Sequence, residues 1–349
     1  SADDLLRDPR TPTVVRRVVR FAVGATLGVG ALAAYLWVVG VDTVLARAAQ
    51  IAPWAVGVVV LLVVLEGLAD GIGVWASIRP LGDGLSPPQA VQFALAGDFF
   101  DTLSPAGPVS SEPIMARFIG VTTETTYSDA LGVRSVAKYV KSGAQILLST
   151  LVGAVVLLGG SVPQYIVATM GGTVLGLVVT GAVVVRFRAG LSKPLVVGLT
   201  PVVSLVSGLY REEPHDRSVV AAAVERFWAR IVRFRESPEL LFAIAVGGVA
   251  EQLLTAAALW IALAGTGTTV AFLPILAIVP LPQVASVVPI PGSLGAKDVL
   301  LSGALTLTTG AASAATLAAV LVVRTVSIPF GVSAGGLCVA FLRGWRLRV

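Results

Sequence analysis

Six long runs of apolar residues dominate the sequence and predict membrane-spanning helices. A helix needs about 20 mostly apolar residues to cross the hydrocarbon core of a bilayer. One run opens at Pro53, and proline is favoured in the first turn of a helix. The runs cover residues 20–40, 53–78, 142–160, 163–185, 238–264 and 312–342. Together they predict an all-α polytopic membrane protein.

Two further apolar segments, 89–120 and 270–310, are interrupted by proline and glycine. Counting the spans along the chain places both ends of the first segment on one face of the membrane and both ends of the second on the opposite face. This arrangement is typical of an inverted-topology repeat with discontinuous helices that meet near the bilayer midplane. Non-helical backbone is tolerated at that depth only beside protein or a water-filled cavity. The sequence therefore predicts two re-entrant or broken helix pairs with a cavity between them.

Charged residues are few, and most of the basic ones lie at the ends of the apolar runs. The chain is 56% hydrophobic and 13% charged, whereas about a quarter of a typical soluble chain is charged. The net charge of +5 forms no single basic patch, so nucleic acid is not expected as a partner. The positive-inside rule puts both termini and residues 186–237 in the cytoplasm and the loops at 41–52, 159–164 and 265–269 outside. We expect a multi-pass protein of a prokaryotic cell membrane.

The domain organisation follows from the same pattern. Residues 1–349 are predicted to form a single transmembrane domain, with a first half at 20–185 and a second half at 238–342. Between them, the cytoplasmic loop 186–237 includes an amphipathic helix at 215–236, where charged and apolar residues alternate. Whether residues 191–210 span the membrane is left open, since Pro194, Gly198 and Pro201 interrupt them.

The tips of the two broken segments share a plan: proline and glycine end one half-helix, serine caps the next, and an acid follows. Free N–H groups at the start of such half-helices suit an anionic head group such as phosphate. Two ordinary loops between short helices remain the alternative. The candidate residues of the first tip are Pro105, Gly107, Ser110, Ser111, Glu112 and Arg117, and those of the second are Pro291, Gly292, Ser293, Gly295 and Asp298.

Arg324 is the only charged residue between Asp298 and Arg343, and it lies within an apolar run. A charge at the bilayer centre costs at least about 2.5–3.5 kcal/mol, so it needs a partner, water or a function. Arginine can hold a phosphate through two parallel hydrogen bonds. The alternative is a structural ion pair with Glu251 or Asp298.

Other charges recur at helical spacing. Arg134, Lys138 and Lys141 follow one another at intervals of four and three, so they form one stripe on a helix. This stripe either serves a cytoplasmic entrance to the cavity or is a helix end that reaches the interface. Glu66 with Asp70, and Asp98 with Asp101, form same-face carboxylate pairs. With Glu251, these acids are candidate charge partners of the bases, or they titrate in a proton-coupled cycle.

Several kinds of chemistry are not expected. The sequence contains no G-x-x-x-x-G-K-[ST] phosphate loop, so ATP hydrolysis is not predicted. No His/Cys cluster has the spacing of a zinc site, and neither a metal nor another cofactor is predicted. The internal loop and tails are too short for a soluble catalytic domain. We therefore expect the protein not to be an enzyme.

Three stretches resemble the flippase-like membrane domain family, also called the lysylphosphatidylglycerol synthase transmembrane region. They are LSPAGPVSSEPIMAR at 103–117, VPIPGSLGAKD at 288–298 and TLAAVLVVRTVSIPFGVSAGGL at 316–337. The sequence departs from the family pattern in having Ser111 and Ser293 where glycine is usual and Asp298 where glutamate is usual. The acids expected around Arg134 are also absent.

The resemblance covers about residues 20–342 and implies transport of a lipid between leaflets. Family members move lipids that include aminoacylated phosphatidylglycerol and lipid-linked sugars. We therefore expect ATP-independent flipping or scrambling of an anionic phospholipid or a lipid-linked sugar. The alternatives are a secondary transporter of a small polar or anionic solute, and a membrane subunit that docks a glycosyltransferase or another lipid-modifying enzyme through residues 211–236.

Overall fold

The computed structural model describes residues 30, 32–103, 108–158, 164–187, 190, 192–194, 196–198, 200, 217–281 and 295–342. The described residues are mostly helical and contain no strand. Among them, four helices are long and apolar enough to cross a membrane. The prediction of an all-α polytopic membrane protein is therefore confirmed.

The first two helices of the described residues form a bent pair. Helices α1 (Leu32–Val39) and α2 (Val41–Ala49) meet at an angle of 86° around Gly40. The predicted external loop at 41–52 is therefore wrong, because most of it is helix α2. The remaining helices of the first half are α3 (Pro53–Ile78), α4 (Pro87–Leu103), α5 (Pro108–Thr122), α6 (Tyr127–Leu158) and α7 (Gln164–Arg186).

Helix α6 begins fifteen residues before the predicted span at 142. The added turns include Arg134, Lys138 and Lys141. Because these residues are charged, a search for apolar runs does not detect this part of the helix. The charged stripe is therefore continuous with a membrane-spanning helix.

Among the described residues, the second half repeats the order of a long span, two short helices and a second long span. Helix α8 (Arg217–Arg233) and a 3₁₀ turn (Phe234–Glu236) precede α9 (Pro238–Gly265), α10 (Phe272–Ile278), α11 (Ala296–Thr309) and α12 (Ser313–Ala340). This order matches α3, α4, α5 and α6. The opposite orientation of the two halves in the membrane, and the division of the chain into one domain with two halves, stay predictions.

Helix α8 confirms the helix predicted in the 215–236 region. Its apolar side chains Val220, Val224 and Trp228 are buried and form a cluster with Val196. Much of its apolar face is therefore covered by this chain.

Helices α3 and α9 pack backbone to backbone at the centre of the molecule. A Cβ atom added to Gly247 would lie 2.9 Å from the backbone nitrogen of Gly73. In the same way, one added to Gly335 of α12 would overlap the carbonyl oxygen of Leu95 in α4. Small residues permit such close approach between membrane helices, where lipid gives no hydrophobic drive for association. A Cβ atom added to Gly71 of α3 would lie 3.2 Å from the Cα atom of Val91 in α4, so α4 is held between α3 and α12.

Large apolar side chains cover the outer faces of the spans. Leu61, Leu151 and Leu337 are each more than half exposed. A soluble protein rarely shows such a continuous apolar surface, whereas lipid accommodates it. The polar residues are concentrated on the inner faces instead.

Candidate functional site

An ion-pair cluster joins the half-helix α5 to the charged stripe of α6. The Nε and Nη2 atoms of Arg134 donate to the two carboxylate oxygens of Glu112, each at 2.9 Å. Lys138 Nζ donates to Glu112 Oε1 at 2.7 Å. Arg134 and Glu112 expose only 14% and 15% of their side chains, so neither charge is solvated in full. Glu112 therefore neutralises two cations within the protein.

The same cluster reaches the preceding half-helix. Lys138 Nζ lies 3.7 Å from Asp101 Oδ2 on α4. Ser111 Oγ donates to the other carboxylate oxygen of Asp101. α4 and α5 flank the Pro/Gly break of the first segment, and these contacts join the two helices to each other.

Lys141 joins three spans. Its Nζ atom lies 2.5 Å from Asp70 Oδ1 on α3 and forms an ion pair with Glu251 on α9. One turn further along α6, Gln145 donates to the carbonyl oxygen of Gly248, also on α9, at 2.9 Å. A cation shared by two carboxylates offsets part of the cost of holding all three groups away from bulk water.

Neutral side chains extend this polar interior towards α10. Gln252 Nε2 donates to Ser149 Oγ at 2.7 Å and to the carbonyl oxygen of Leu276 at 2.9 Å. Thr255 Oγ1 donates to Glu66 Oε1 at 2.8 Å. Polar contacts therefore continue from α3 to the first short helix of the second half.

The second half contains its own acid–arginine pair. Arg324 Nε donates to Asp298 Oδ1 at 2.8 Å, which joins α12 to the half-helix α11. Asp298 Oδ2 accepts the backbone N–H of Gly295, the residue before the first turn of α11. The ion pair with Asp298 was one of the two explanations for a charge at position 324.

Three adjoining cavities lie among these residues, with volumes of about 230, 190 and 260 Å³. Glu251 lines all three of them. The charged residues that line them, among those described, are the acids Glu66, Asp70, Asp98, Asp101, Glu251 and Asp298 and the bases Arg134, Lys138, Lys141, Lys297 and Arg324. The spans thus enclose a space with both signs of charge and one more acid than base.

The structure gathers most of the predicted charged residues but not all of the predicted site. Arg117 is exposed and forms no ion pair with the described residues. Ser110 and Ser111 were predicted to cap the returning half-helix, and this is wrong because α5 already begins at Pro108. The side chain of Ser110 and all of Pro105, Gly107, Pro291, Gly292 and Ser293 lie outside the described residues.

The capping prediction for the second tip also needs correction. The N-cap position of α11 is Gly295, two residues after the predicted Ser293. Gly295 has no side chain to accept an N–H of the first turn, but Asp298 accepts the N–H of Gly295 itself. The acid after the break therefore both stabilises the start of the half-helix and holds Arg324.

Lys297 was missed by the sequence-based prediction of site residues. It is half-buried and lines the cavities of about 230 and 260 Å³. The available signal was a lysine at the start of a half-helix in an otherwise apolar segment, where the helix dipole disfavours a cation.

Comparison with known proteins decides the family. A model of the lysylphosphatidylglycerol synthase TM region matches residues 18–335. The chain belongs to this family. Comparison with curated proteins and with solved structures gives no match. As a member of the lysylphosphatidylglycerol synthase TM region family, the chain is a multi-pass membrane domain related to lipid handling.

Both acid–arginine pairs lie within the family match, which contains Glu112, Arg134, Asp298 and Arg324. Each arginine is held by a carboxylate of a short helix, Glu112 on α5 or Asp298 on α11. The position of each charge therefore depends on how that short helix packs against a long one.

Proposed function

We propose that this protein moves an anionic lipid or a lipid-linked head group between the membrane leaflets without ATP. The head group passes through the charged cavities between the two broken helix pairs, while the apolar tail stays in the surrounding lipid. The observation that carries this proposal is the set of three adjoining cavities lined by charges, within a family related to lipid handling. The protein acts as a transporter and not as an enzyme.

Arg324 holds the phosphate of the head group in this proposal. Its guanidinium is permanently charged, and it lines the cavities of about 190 and 260 Å³. Before the ligand binds, the guanidinium of Arg324 is ion-paired with Asp298. Exchange of one anion for another keeps a negative charge beside the guanidinium in a poorly solvated site.

The partners of the protein are then membrane lipids, with the positive stripe on α6 near the cytoplasmic entrance. Arg134 and Lys138 are both ion-paired with Glu112. They make the entrance positive, but neither is available to bind an anion unless Glu112 is displaced. A partner enzyme that synthesises or modifies the lipid remains an expectation.

Reconstitution in liposomes tests the proposed function. Phosphatidylglycerol with a fluorophore on one acyl chain keeps its native head group, and dithionite bleaches only the label in the outer leaflet. Wild-type protein is expected to make nearly all of the label accessible, whereas empty liposomes protect about half of it. If the wild type is no faster than empty liposomes with phosphatidylglycerol or with other anionic phospholipids, the proposal is wrong.

The role of Arg324 is tested in the same assay. Arg324→Gln is expected to reduce the rate to that of empty liposomes, while Arg186→Gln, at an exposed position at the end of α7, keeps the wild-type rate. Arg324→Lys tests whether charge alone suffices. Size-exclusion chromatography shows whether each variant is folded, and a wild-type rate for folded Arg324→Gln would remove this residue from the mechanism.

A proton-coupled transporter of a small polar solute is the second candidate. Glu66 and Asp98 line the cavities and form no ion pair with the described residues. In this candidate function, both carboxylates bind and release the coupled protons. Mass spectrometry of the purified protein separates the two candidates. A retained anionic lipid favours lipid transport, and its absence together with inactivity in the liposome assay favours the solute transporter.

A further inference from the structure

We propose that Lys297 is the residue that first binds the phosphate oxyanion, in the cavity of about 260 Å³. The phosphate then displaces Asp298 from Arg324. This inference rests on the proposed function and names the group that receives the ligand. It is carried by a difference between Lys297 and the other cations of the cavities.

The other cavity-lining bases of the described residues are all engaged by carboxylates. The engaged pairs are Arg134–Glu112 at 2.9 Å, Lys138–Glu112 at 2.7 Å, Lys141–Asp70 at 2.5 Å and Arg324–Asp298 at 2.8 Å. An anionic ligand gains less from such a base, because the carboxylate has to be displaced first. Each displaced acid is then left without its partner in a poorly solvated space.

Lys297 requires no such displacement. No ion pair joins its ammonium group to a carboxylate of the described residues. It is half-buried and lines two of the three cavities. A lysine has three donors on a compact charge and binds phosphate as a point charge.

The position of Lys297 on α11 favours the same ligand. It is the second residue of this helix, at the end that carries partial positive charge. A cation there is unfavourable by itself, but an anion bound to it interacts favourably with both the ammonium group and the helix end. Phosphate is therefore the chemistry that this corner of the cavity fits.

Lys297 also lies next to the acid that has to move. Lys297, Asp298 and Arg324 all line the cavity of about 260 Å³. A phosphate on Lys297 is therefore within the space where it can compete with Asp298 for Arg324. Binding at Lys297 thus precedes transfer to the guanidinium, and both steps act on the half-helix α11.

The experiment uses native mass spectrometry of the full chain in detergent with three probes. The probes are dioctanoyl phosphatidylglycerol, inorganic phosphate and dioctanoylglycerol, which lacks the phosphate. The variants are Lys297→Gln, Lys297→Arg and, as a matched control at an exposed position outside the cavities, Lys193→Gln. Thermal unfolding in the same detergent establishes that all the variants are folded.

Wild type is expected to bind phosphatidylglycerol and not dioctanoylglycerol. Lys297→Gln is expected to weaken the affinity for phosphatidylglycerol at least about tenfold, since it removes a hydrogen bond to a charged group. Lys297→Arg keeps the affinity within about threefold, and Lys193→Gln leaves it unchanged. If the site is specific for the lipid, wild type does not bind inorganic phosphate. If wild type binds inorganic phosphate and Lys297→Gln does not, free phosphate is the ligand.

Unchanged phosphatidylglycerol and phosphate binding by folded Lys297→Gln would overturn the inference, and so would a wild type that binds neither probe. These results are distinct from failure of the proposed function. If wild type binds phosphatidylglycerol through Lys297 but does not move it in liposomes, the binding site stands and transport is wrong. If wild type moves the lipid and Lys297→Gln binds and moves it equally well, transport stands and the role of Lys297 is wrong.

Discussion

The two halves of the molecule contain the same kind of ion pair in the same sequence of helices. In the first half, Glu112 on the short helix α5 binds Arg134 on the long helix α6. In the second half, Asp298 on the short helix α11 binds Arg324 on the long helix α12. The acid precedes the arginine by 22 residues in one half and by 26 in the other. This correspondence supports an internal repeat.

The surroundings of the two pairs differ. Glu112 binds a second cation, Lys138, with the oxygen that also accepts from Arg134 Nη2. Asp298 uses its second oxygen for the backbone N–H of Gly295 instead. The lysine beside the second pair, Lys297, is left without an ion-pair partner among the described residues. The first pair thus acts as a clamp between α5 and α6 that engages both nearby cations, whereas the second leaves Lys297 without an ion pair among the described residues.

Loss of the acid from the first pair is expected to have the largest effect. Glu112→Gln leaves Arg134, with 14% of its side chain exposed, and Lys138 without a carboxylate at this position. Removal of one partner from a buried ion pair typically costs about 3–5 kcal/mol. We expect a loss at the lower end of this range in the free energy of unfolding, measured by SDS titration in mixed micelles.

Glu225→Gln on α8 is the control for that prediction, because Glu225 is exposed and forms no ion pair with the described residues. We expect this variant to stay within about 0.5 kcal/mol of wild type. Equal stability of wild type and Glu112→Gln would show that the first pair is no clamp.

The acid of the second pair is expected to matter less for stability. In Asp298→Asn the amide oxygen still accepts the Gly295 N–H, and Arg324, with 26% of its side chain exposed, faces the cavities. The lost interaction is one hydrogen bond between charged groups, worth about 1.5–3 kcal/mol. The same SDS titration is expected to show a smaller loss than for Glu112→Gln.

A double variant sharpens this second prediction. Asp298→Asn combined with Arg324→Gln removes both charges, so it is expected to lose less free energy than the two single variants added together. Strict additivity would mean that the two side chains do not stabilise each other, and the parallel between the halves would fail.

The two lysines beside the pairs are expected to give the smallest effects and to differ from each other. Lys138→Gln removes one of two cations from Glu112, and a pair of this exposure is worth about 0.5–1 kcal/mol. Lys297→Gln breaks no ion pair with the described residues and is expected to change stability by less than about 0.5 kcal/mol.

Thermal unfolding in detergent, repeated at low and high salt, measures both lysine variants. Salt is expected to narrow the gap between Lys138→Gln and wild type, because it screens partly exposed ion pairs. A larger loss for Lys297→Gln than for Lys138→Gln would indicate that Lys297 has a structural partner and would contradict its assignment to a ligand.

The length of the apolar runs predicted the long membrane-spanning helices well and the short helix at the α1–α2 bend poorly. The runs at 53–78, 238–264 and 312–342 match helices α3, α9 and α12 closely, because lipid demands a continuous apolar helix. Helix α2 was missed because its nine residues mix apolar with polar side chains and lie at 86° to α1. Such a short helix gives no signal in a count of apolar residues.

Charge spacing predicted the common face of Arg134, Lys138 and Lys141 but not what that face contacts. The three residues bind carboxylates from four other helices: α3, α4, α5 and α9. The missing acids near Arg134 suggested an absent partner, whereas Glu112 from the half-helix supplies one. Local sequence could not show this, because the partner depends on how α5 packs against α6.

The sequence by itself determined the class of the protein, most of its long helices and the presence of charges inside apolar runs. These follow from the cost of exposing polar backbone and charge to lipid, which acts on each segment separately. The tertiary structure decided which charges neutralise one another, since ion pairing requires contact within a few ångströms between helices distant in sequence. That pairing is why Arg324 donates to Asp298, and why Lys297 has no ion-pair partner among the described residues.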